Sequence, residues 1–179
     1  MQKPIVVNLF GSPSAGKSTT AAGIFYELKR RGIRCELVTE YAKSRVWEES
    51  FKTLDDQIYV FAKQQHKMSV LKGKVDIIIT DSPLLLSLYY GKNYSSNFKN
   101  LINEIHNEYE NINYYIYHLG EYDEVGRMQT KEESLLIGEN LINILNDNDV
   151  EYITLNKDSR VVETIVNKTI QELNEHNLN

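Results

Sequence analysis

Residues Gly11–Ser18 run Gly-Ser-Pro-Ser-Ala-Gly-Lys-Ser and satisfy every fixed position of the phosphate-binding pattern G-x-x-x-x-G-K-[ST]. Such a loop demands a strand before it and a helix after it, and both are supplied. Ile5–Phe10 is an apolar run suited to a buried parallel strand. Thr19–Arg31 carries Ala22, Phe25, Tyr26 and Leu28 near helical spacing, with Gly32 as a stop. Gly11 and Gly16 permit torsions and close approaches that a side chain would block, so Ser12, Pro13, Ser14 and Ala15 can wrap the backbone around an anion. Lys17 supplies a point charge for the β- and γ-phosphates. Ser18 supplies a hydroxyl for Mg²⁺, and the helix opening at Thr19 adds its positive end. The expected ligand is a nucleoside triphosphate.

At 179 residues the chain is long enough for one well-buried domain and short for two, so residues 1–179 are expected to form one unit. No run is apolar enough to span a bilayer, and the N-terminus lacks the layout of a signal peptide, which together predict a cytoplasmic protein with no membrane partner. Cys35, the single cysteine, excludes an internal disulfide and a cysteine-based metal framework; it is expected to be a small core residue. A net charge of −5 argues against a nucleic-acid footprint over the whole surface, while leaving room for a local basic groove. The abundance of Asn, Ile and Lys points to an AT-rich coding genome such as a virus's, in which case the compartment is the host cytoplasm.

Apolar runs alternate with helical patterns along the chain, which predicts a parallel sheet with crossover helices. The expected strands are Ile5–Phe10, Cys35–Val38, Val75–Thr80, Tyr114–Tyr117 and Tyr152–Leu155. The expected helices include one on which Leu54, Ile58, Phe61 and Ala62 share a face before Met68 and Leu71. Others carry Phe98, Leu101, Ile102, Ile105 and Tyr109, span about Glu132–Leu145, and begin near Ser159. Gly120–Thr130, with two glycines and little apolar content, is the longest irregular candidate, placed where a lid would be useful.

Two strand ends carry further chemistry. Val75–Asp81 is an apolar strand ending in a carboxylate, so Asp81 is the candidate to support the Mg²⁺ ligated by Ser18; its competing reading is an N-cap for a following helix. Glu40 ends the second strand at the carboxyl edge, where open parallel sheets bind ligands. It could accept a proton from an acceptor hydroxyl or hydrogen-bond a sugar. Lys43 and Arg45 follow closely and could hold an anionic part of the acceptor, or simply face solvent.

The loop Gly-Ser-Pro-Ser-Ala-Gly-Lys-Ser-Thr, the segment Thr-Glu-Tyr-Ala-Lys at 39–43 and Thr-Asp-Ser-Pro-Leu-Leu at 80–85 together resemble P-loop kinases. More narrowly they resemble the AAA-type ATP-binding proteins of bacteriophages, grouped with the ribosylnicotinamide kinase domain of bifunctional NAD-biosynthesis regulators. The resemblance covers the first half by motif and the rest by layout. It implies the three-layer P-loop NTPase fold, with a five-stranded parallel sheet and helices on both faces, together with ATP and Mg²⁺ binding. It also implies a mobile lid, around 119–131, that brings an arginine to the phosphates. Arg127 is the candidate lid arginine, placed to offset the charge that develops on the transferring phosphoryl group, and Lys131 is the second choice. Ser82 stands where deoxynucleoside kinases often have an arginine, so their acceptor specificity does not simply transfer.

The four histidines have no zinc-binding spacing, and only His118, after the fourth strand, is placed to line a cleft. A tyrosine within Ser87–Tyr94 could stack on an acceptor base. Asn156-Lys157-Asp158 lacks the spacer of the guanine-selective N-K-x-D motif and is expected to form a loop near an adenine. The expected function is therefore an ATP- and Mg²⁺-dependent phosphotransferase, with Lys17, Glu40, Asp81 and Arg127 carrying the chemistry. Its acceptor would be a nucleoside-like hydroxyl, including 5-hydroxymethyluracil in phage DNA. The alternatives are a nucleoside monophosphate kinase and a nucleotide-dependent ATPase or switch.

Overall fold

Successive side chains of a strand point to opposite faces, and in β1 (Ile5–Phe10) both faces are covered. Val6 and Phe10 enter one apolar cluster, and Ile5, Val7 and Leu9 enter the other. The computed structural model describes residues 3–117 and 130–176. Within them the chain continues through α1 (Lys17–Arg30), β2 (Cys35–Val38), α2 (Tyr41–Trp47), α3 (Phe51–Asp55), α4 (Gln57–Ser69), β3 (Ile77–Thr80), α5 (Leu86–Tyr90) and α6 (Ser96–His106). It then forms β4 (Glu110–Tyr117), α7 (Lys131–Asp147), β5 (Ile153–Asn156) and α8 (Val161–His176). The strands lie in the order β2-β3-β1-β4-β5 and every pairing is parallel. Helices α1 and α8 cover one face through Ala21, Ile24, Leu28, Ile165 and Val166. Helices α4 to α7 cover the other through Phe61, Met68, Leu88, Phe98, Ile102 and Leu141. The chain thus adopts the expected three-layer P-loop NTPase fold. Among the described residues no helix is long and apolar enough to cross a membrane.

The asparagines of β4 explain why that strand is longer than its apolar run predicts. It begins at Glu110 rather than Tyr114, because Asn8 on β1 donates to the side-chain oxygens of both Asn111 and Asn113 at 2.9 and 3.0 Å. Asn113 in turn donates to the Glu151 carbonyl at 3.0 Å. Polar residues inside a sheet are tolerated when they satisfy each other, and this ladder disguises the strand's first half. Tyr109, expected on the preceding helix, lies beyond its end and is buried.

The single helix expected across Leu54–Leu71 is two. Asp56 interrupts it with φ −88° and ψ 86°, and its carboxylate caps α4 by accepting from the Tyr59 N–H. The face shifts accordingly: Ile58 is exposed while Phe61, Gln64 and Met68 are buried. Gln64 earns its interior place by hydrogen bonding. Its Oε1 accepts from Tyr41 N–H at 2.9 Å and its Nε2 donates to the Ser82 carbonyl at 3.2 Å, fastening the ends of β2 and β3 together. A similar shift occurs in α1, where Ala21 and Ile24 are buried and Tyr26 is exposed. Cys35 is a core residue as expected, and burial pushes its thiol up to about 11.

Candidate active site

The loop between β1 and α1 owes its shape to two glycines. Gly11 has φ 144°, and a Cβ there would stand 2.6 Å from the Ile116 carbonyl oxygen; Gly16 has φ 83° and forms the N-cap of α1. The first-turn N–H groups of α1 have no intrahelical acceptors, and there is no acidic side chain in that turn to take their place. Backbone donors and the positive helix end therefore face the same concavity. At its mouth the Lys17 ammonium donates to the carbonyls of Gly11 and Ser12 at 2.8 and 2.9 Å.

β3 is hydrogen-bonded beside β1, so the residue after β3 meets the residue after the loop. Ser18 Oγ donates to Asp81 Oδ2 at 2.5 Å, and the other carboxylate oxygen, Oδ1, accepts the Glu40 backbone N–H at 3.1 Å. Asp81 is 5% exposed. Its alternative reading as a helix N-cap does not hold: α5 starts at Leu86, capped by Leu85. One carboxylate thus ties the phosphate loop to the end of β2. Ser18 and Asp81 offer hard oxygen donors at adjacent positions, which fits Mg²⁺, an ion that takes one or two protein oxygens and keeps several waters.

From this junction a cleft of about 530 Å³ opens between the loop and α2–α5. Its inner end is the loop itself with Glu40, Asp81 and Ser82, and its outer wall includes Val46, Phe51, Leu54, Val60, Leu86 and Tyr90. The cleft thus has a polar end, made of loop backbone donors, Lys17 and Asp81, and an apolar, aromatic wall at the other, with Glu40 among its lining residues.

Helix α7 braces the loop from outside. Thr130 and Glu133 form a reciprocal capping box at its start. Ser134 Oγ then donates to the Pro13 carbonyl at 2.8 Å, and Tyr115 donates its hydroxyl proton to the Gly138 carbonyl at 3.0 Å. A Cβ on Gly138 would sit 2.9 Å from the Tyr115 hydroxyl and 3.2 Å from Ser12 Cβ. Gly138→Ala is expected to displace Ser12 of the loop and to cost about 1–3 kcal/mol of stability through overpacking, read by thermal melting, and to weaken any nucleotide binding at the loop severalfold, read by calorimetric titration.

A family model described as an AAA domain matches residues 6–161. The chain belongs to the AAA-domain family. No curated protein matches the sequence significantly. Among solved structures, this AAA domain resembles the NadR protein crystallised in complex with NR, at 18% identity and TM-score 0.67, covering 94% of this chain and 50% of that one. The chain therefore spans about half the length of that protein. It also resembles the thymidylate kinase of Ehrlichia chaffeensis, at 14% identity and TM-score 0.60, covering 96% of this chain and 99% of that one. The deoxyadenosine kinase of M. mycoides with bound dCTP is similar at 18% identity and TM-score 0.54, with coverage of 93% and 99%. At such identities the likeness concerns the fold.

The AAA domain brings Gly11, Gly16, Lys17, Ser18, Thr19, Glu40, Lys43 and Asp81 to one cleft. Arg45 turns elsewhere: it pairs with Glu48 and lies over the Tyr41 ring. Arg127, His118 and most of the lid segment lie outside the described residues, while Lys131 is the first residue of α7. Of the tyrosines within Ser87–Tyr94, Tyr90 lines the cleft. Although 45% exposed as a residue, its phenol is raised above its ordinary pKa by burial of the hydroxyl end and then by the Glu40 carboxylate. Lys67 was not legible as a neighbour of the site, because α2, α3 and most of α4 separate it in sequence from Glu40. Its ammonium donates to the Thr39 carbonyl at 2.9 Å; burial there lowers its pKa, opposed by the charges of Asp81 and Glu40.

Proposed function

We propose that this AAA domain is an ATP- and Mg²⁺-dependent phosphotransferase that moves the γ-phosphate to a hydroxyl of a nucleoside-like acceptor. The observation that carries this reading is the double engagement of Asp81, which holds Ser18 of the phosphate loop and the backbone of Glu40 at the two lips of one cleft. The names of the similar structures, two nucleoside or nucleotide kinases and a protein bound to NR, lend support.

In this reading Lys17 and the loop amides bind and orient the triphosphate. Ser18 and Asp81 would hold the metal ion, which when bound neutralises charge shared by the β- and γ-oxygens. Glu40 accepts the proton of the acceptor hydroxyl, and the apolar wall excludes water that would otherwise compete. Arg127 is assigned to the γ-phosphate from outside the described residues. Among the described residues lining the acceptor end, Lys43 is the cation beyond the loop, and Arg45 is held by Glu48. A monophosphate acceptor would call for more positive charge there, so a neutral acceptor is preferred.

The test is transfer of label from γ-labelled ATP to a panel of nucleosides, nucleoside monophosphates, ribosylnicotinamide, and normal or 5-hydroxymethyluracil-containing DNA. Labelled product from one hydroxyl acceptor supports the reading. Label appearing on monophosphates identifies the other kinase class, and tight nucleotide binding with no acceptor-dependent turnover identifies a switch. Glu40→Gln is expected to lower kcat about 10²-fold while leaving ATP affinity within about twofold, as fits a general base that does not touch the donor.

A further inference from the structure

The most informative contact outside the motif lies on the opposite side of the phosphate loop from Asp81. A Cβ built on Gly16 would meet Lys157 Cε at 2.5 Å and its Cδ and Nζ both at 2.7 Å. Lys157 therefore lies across Gly16, the loop residue that caps α1, with its ammonium close to the backbone of that residue. Its backbone is fixed there: its N–H donates to the Tyr117 carbonyl at 2.8 Å, continuing the β4–β5 ladder by one residue, and the next side chain, Asp158, accepts the Arg160 N–H at 2.8 Å. The approach is enforced from below as well. Gly23 on α1 has no side chain where Val162 of α8 packs, a Cβ there being 2.9 Å from Val162 Cγ2, so α8 can seat closely enough to carry the preceding loop onto Gly16.

We propose that Lys157 is a second phosphate-binding cation of this site, contacting the nucleoside-proximal end of the bound triphosphate from the β5 side of the loop. This rests on the phosphotransferase reading for the direction in which the triphosphate lies. The strand order decides the end. Glu40 and Asp81 belong to β2 and β3 on one side of β1, and Lys157 follows β5 on the other. A transferable phosphate directed toward Glu40 leaves the α-phosphate and ribose on the β4–β5 side. Lys17 and Lys157 then hold the chain of phosphates from its two ends. An ammonium on a four-carbon stem is suited to this, since it can follow the nucleotide as a point charge while its methylenes cover Gly16.

Dissociation constants for ATP and ADP, measured by displacement of a fluorescent ADP analogue, test the assignment in the full chain and in two variants. Lys157→Met keeps the stem over Gly16 and removes the charge. It is expected to weaken ATP and ADP equally, by about tenfold, as fits one lost charge-assisted contact to a shared phosphate. Lys157→Arg, retaining the charge, should recover most of that loss, and unchanged thermal melting of both variants would separate the effect from folding. A change below twofold in both nucleotides overturns the proposal. So does a loss confined to ATP, which would place Lys157 at the γ-phosphate. Absence of nucleotide binding by the unaltered protein would overturn the phosphotransferase reading itself, a result distinct from tight binding that Lys157→Met leaves intact.

Discussion

Lys17→Ala is expected to reduce acceptor-dependent phosphate transfer by at least about 10³-fold and to weaken ATP binding, measured by labelled-ATP transfer alongside calorimetric titration. The ammonium sits at the mouth of the loop, held within 2.8–2.9 Å of the Gly11 and Ser12 carbonyls. A cation fixed there acts on charge that grows during transfer, in a site where neighbouring dipoles are already oriented. Its fold contribution is small by comparison. Lys17 is partly exposed at the edge of the loop, and the core beneath is built from Val7, Leu9 and Ile24. Loss of transfer should therefore occur in a protein that melts near the unaltered temperature. Transfer persisting in Lys17→Ala would show that the phosphate loop is not the donor site.

Asp81→Asn should lower Mg²⁺-dependent transfer about 10³-fold while preserving the fold, because the substitution changes charge and not shape. The amide oxygen can still accept the Glu40 N–H, and the amide nitrogen can donate toward Ser18 Oγ, so both connections made by the carboxylate have counterparts. What disappears is the anionic oxygen available to a hard cation. The expected pattern is a large rise in the Mg²⁺ concentration needed for half-maximal transfer, with nearly unchanged nucleotide binding in the presence of a chelator. Equal loss with and without Mg²⁺ would instead mean that Asp81 acts by bracing the loop.

How far the sequence revealed this site depends on the distance over which each interaction acts. The phosphate loop was legible because its requirements are local: two backbone torsions, one ammonium and one hydroxyl within a single turn. Asp81 and Glu40 were legible as strand ends, since strand patterns in parallel sheets run toward one edge. The way Asp81 joins Ser18 to the Glu40 backbone was hidden, because it depends on β3 pairing beside both β1 and β2. Gln64 and the asparagines of β4 misled the periodicity because their burial is decided by partners more than fifteen residues away. Ser134 and Lys67 reach the site through hydrogen bonds to backbone carbonyls and Gly138 through close packing, contacts that no spacing rule marks, while Lys157 was legible only as part of a loop expected near an adenine. The short α2 and α3 have no buried residues and so lacked an apolar stripe to announce them.

The asparagine ladder has a consequence for how this chain finds its own alignment. Ile77, Ile78 and Ile79 beside Ile5, Val6 and Val7 are nearly interchangeable, so apolar burial alone distinguishes poorly between neighbouring registers of β1 and β3. On the other side of β1, Asn8 stands opposite Asn113 and also reaches Asn111. Sliding β1 along β4 would break both side-chain bonds of Asn8 and mismatch the buried amides of Asn8 and Asn113, an error whose cost exceeds that of misplacing a methyl group. The central strand is thus indexed by its least hydrophobic residue, and the phosphate loop, which begins three positions later, inherits its position from that index.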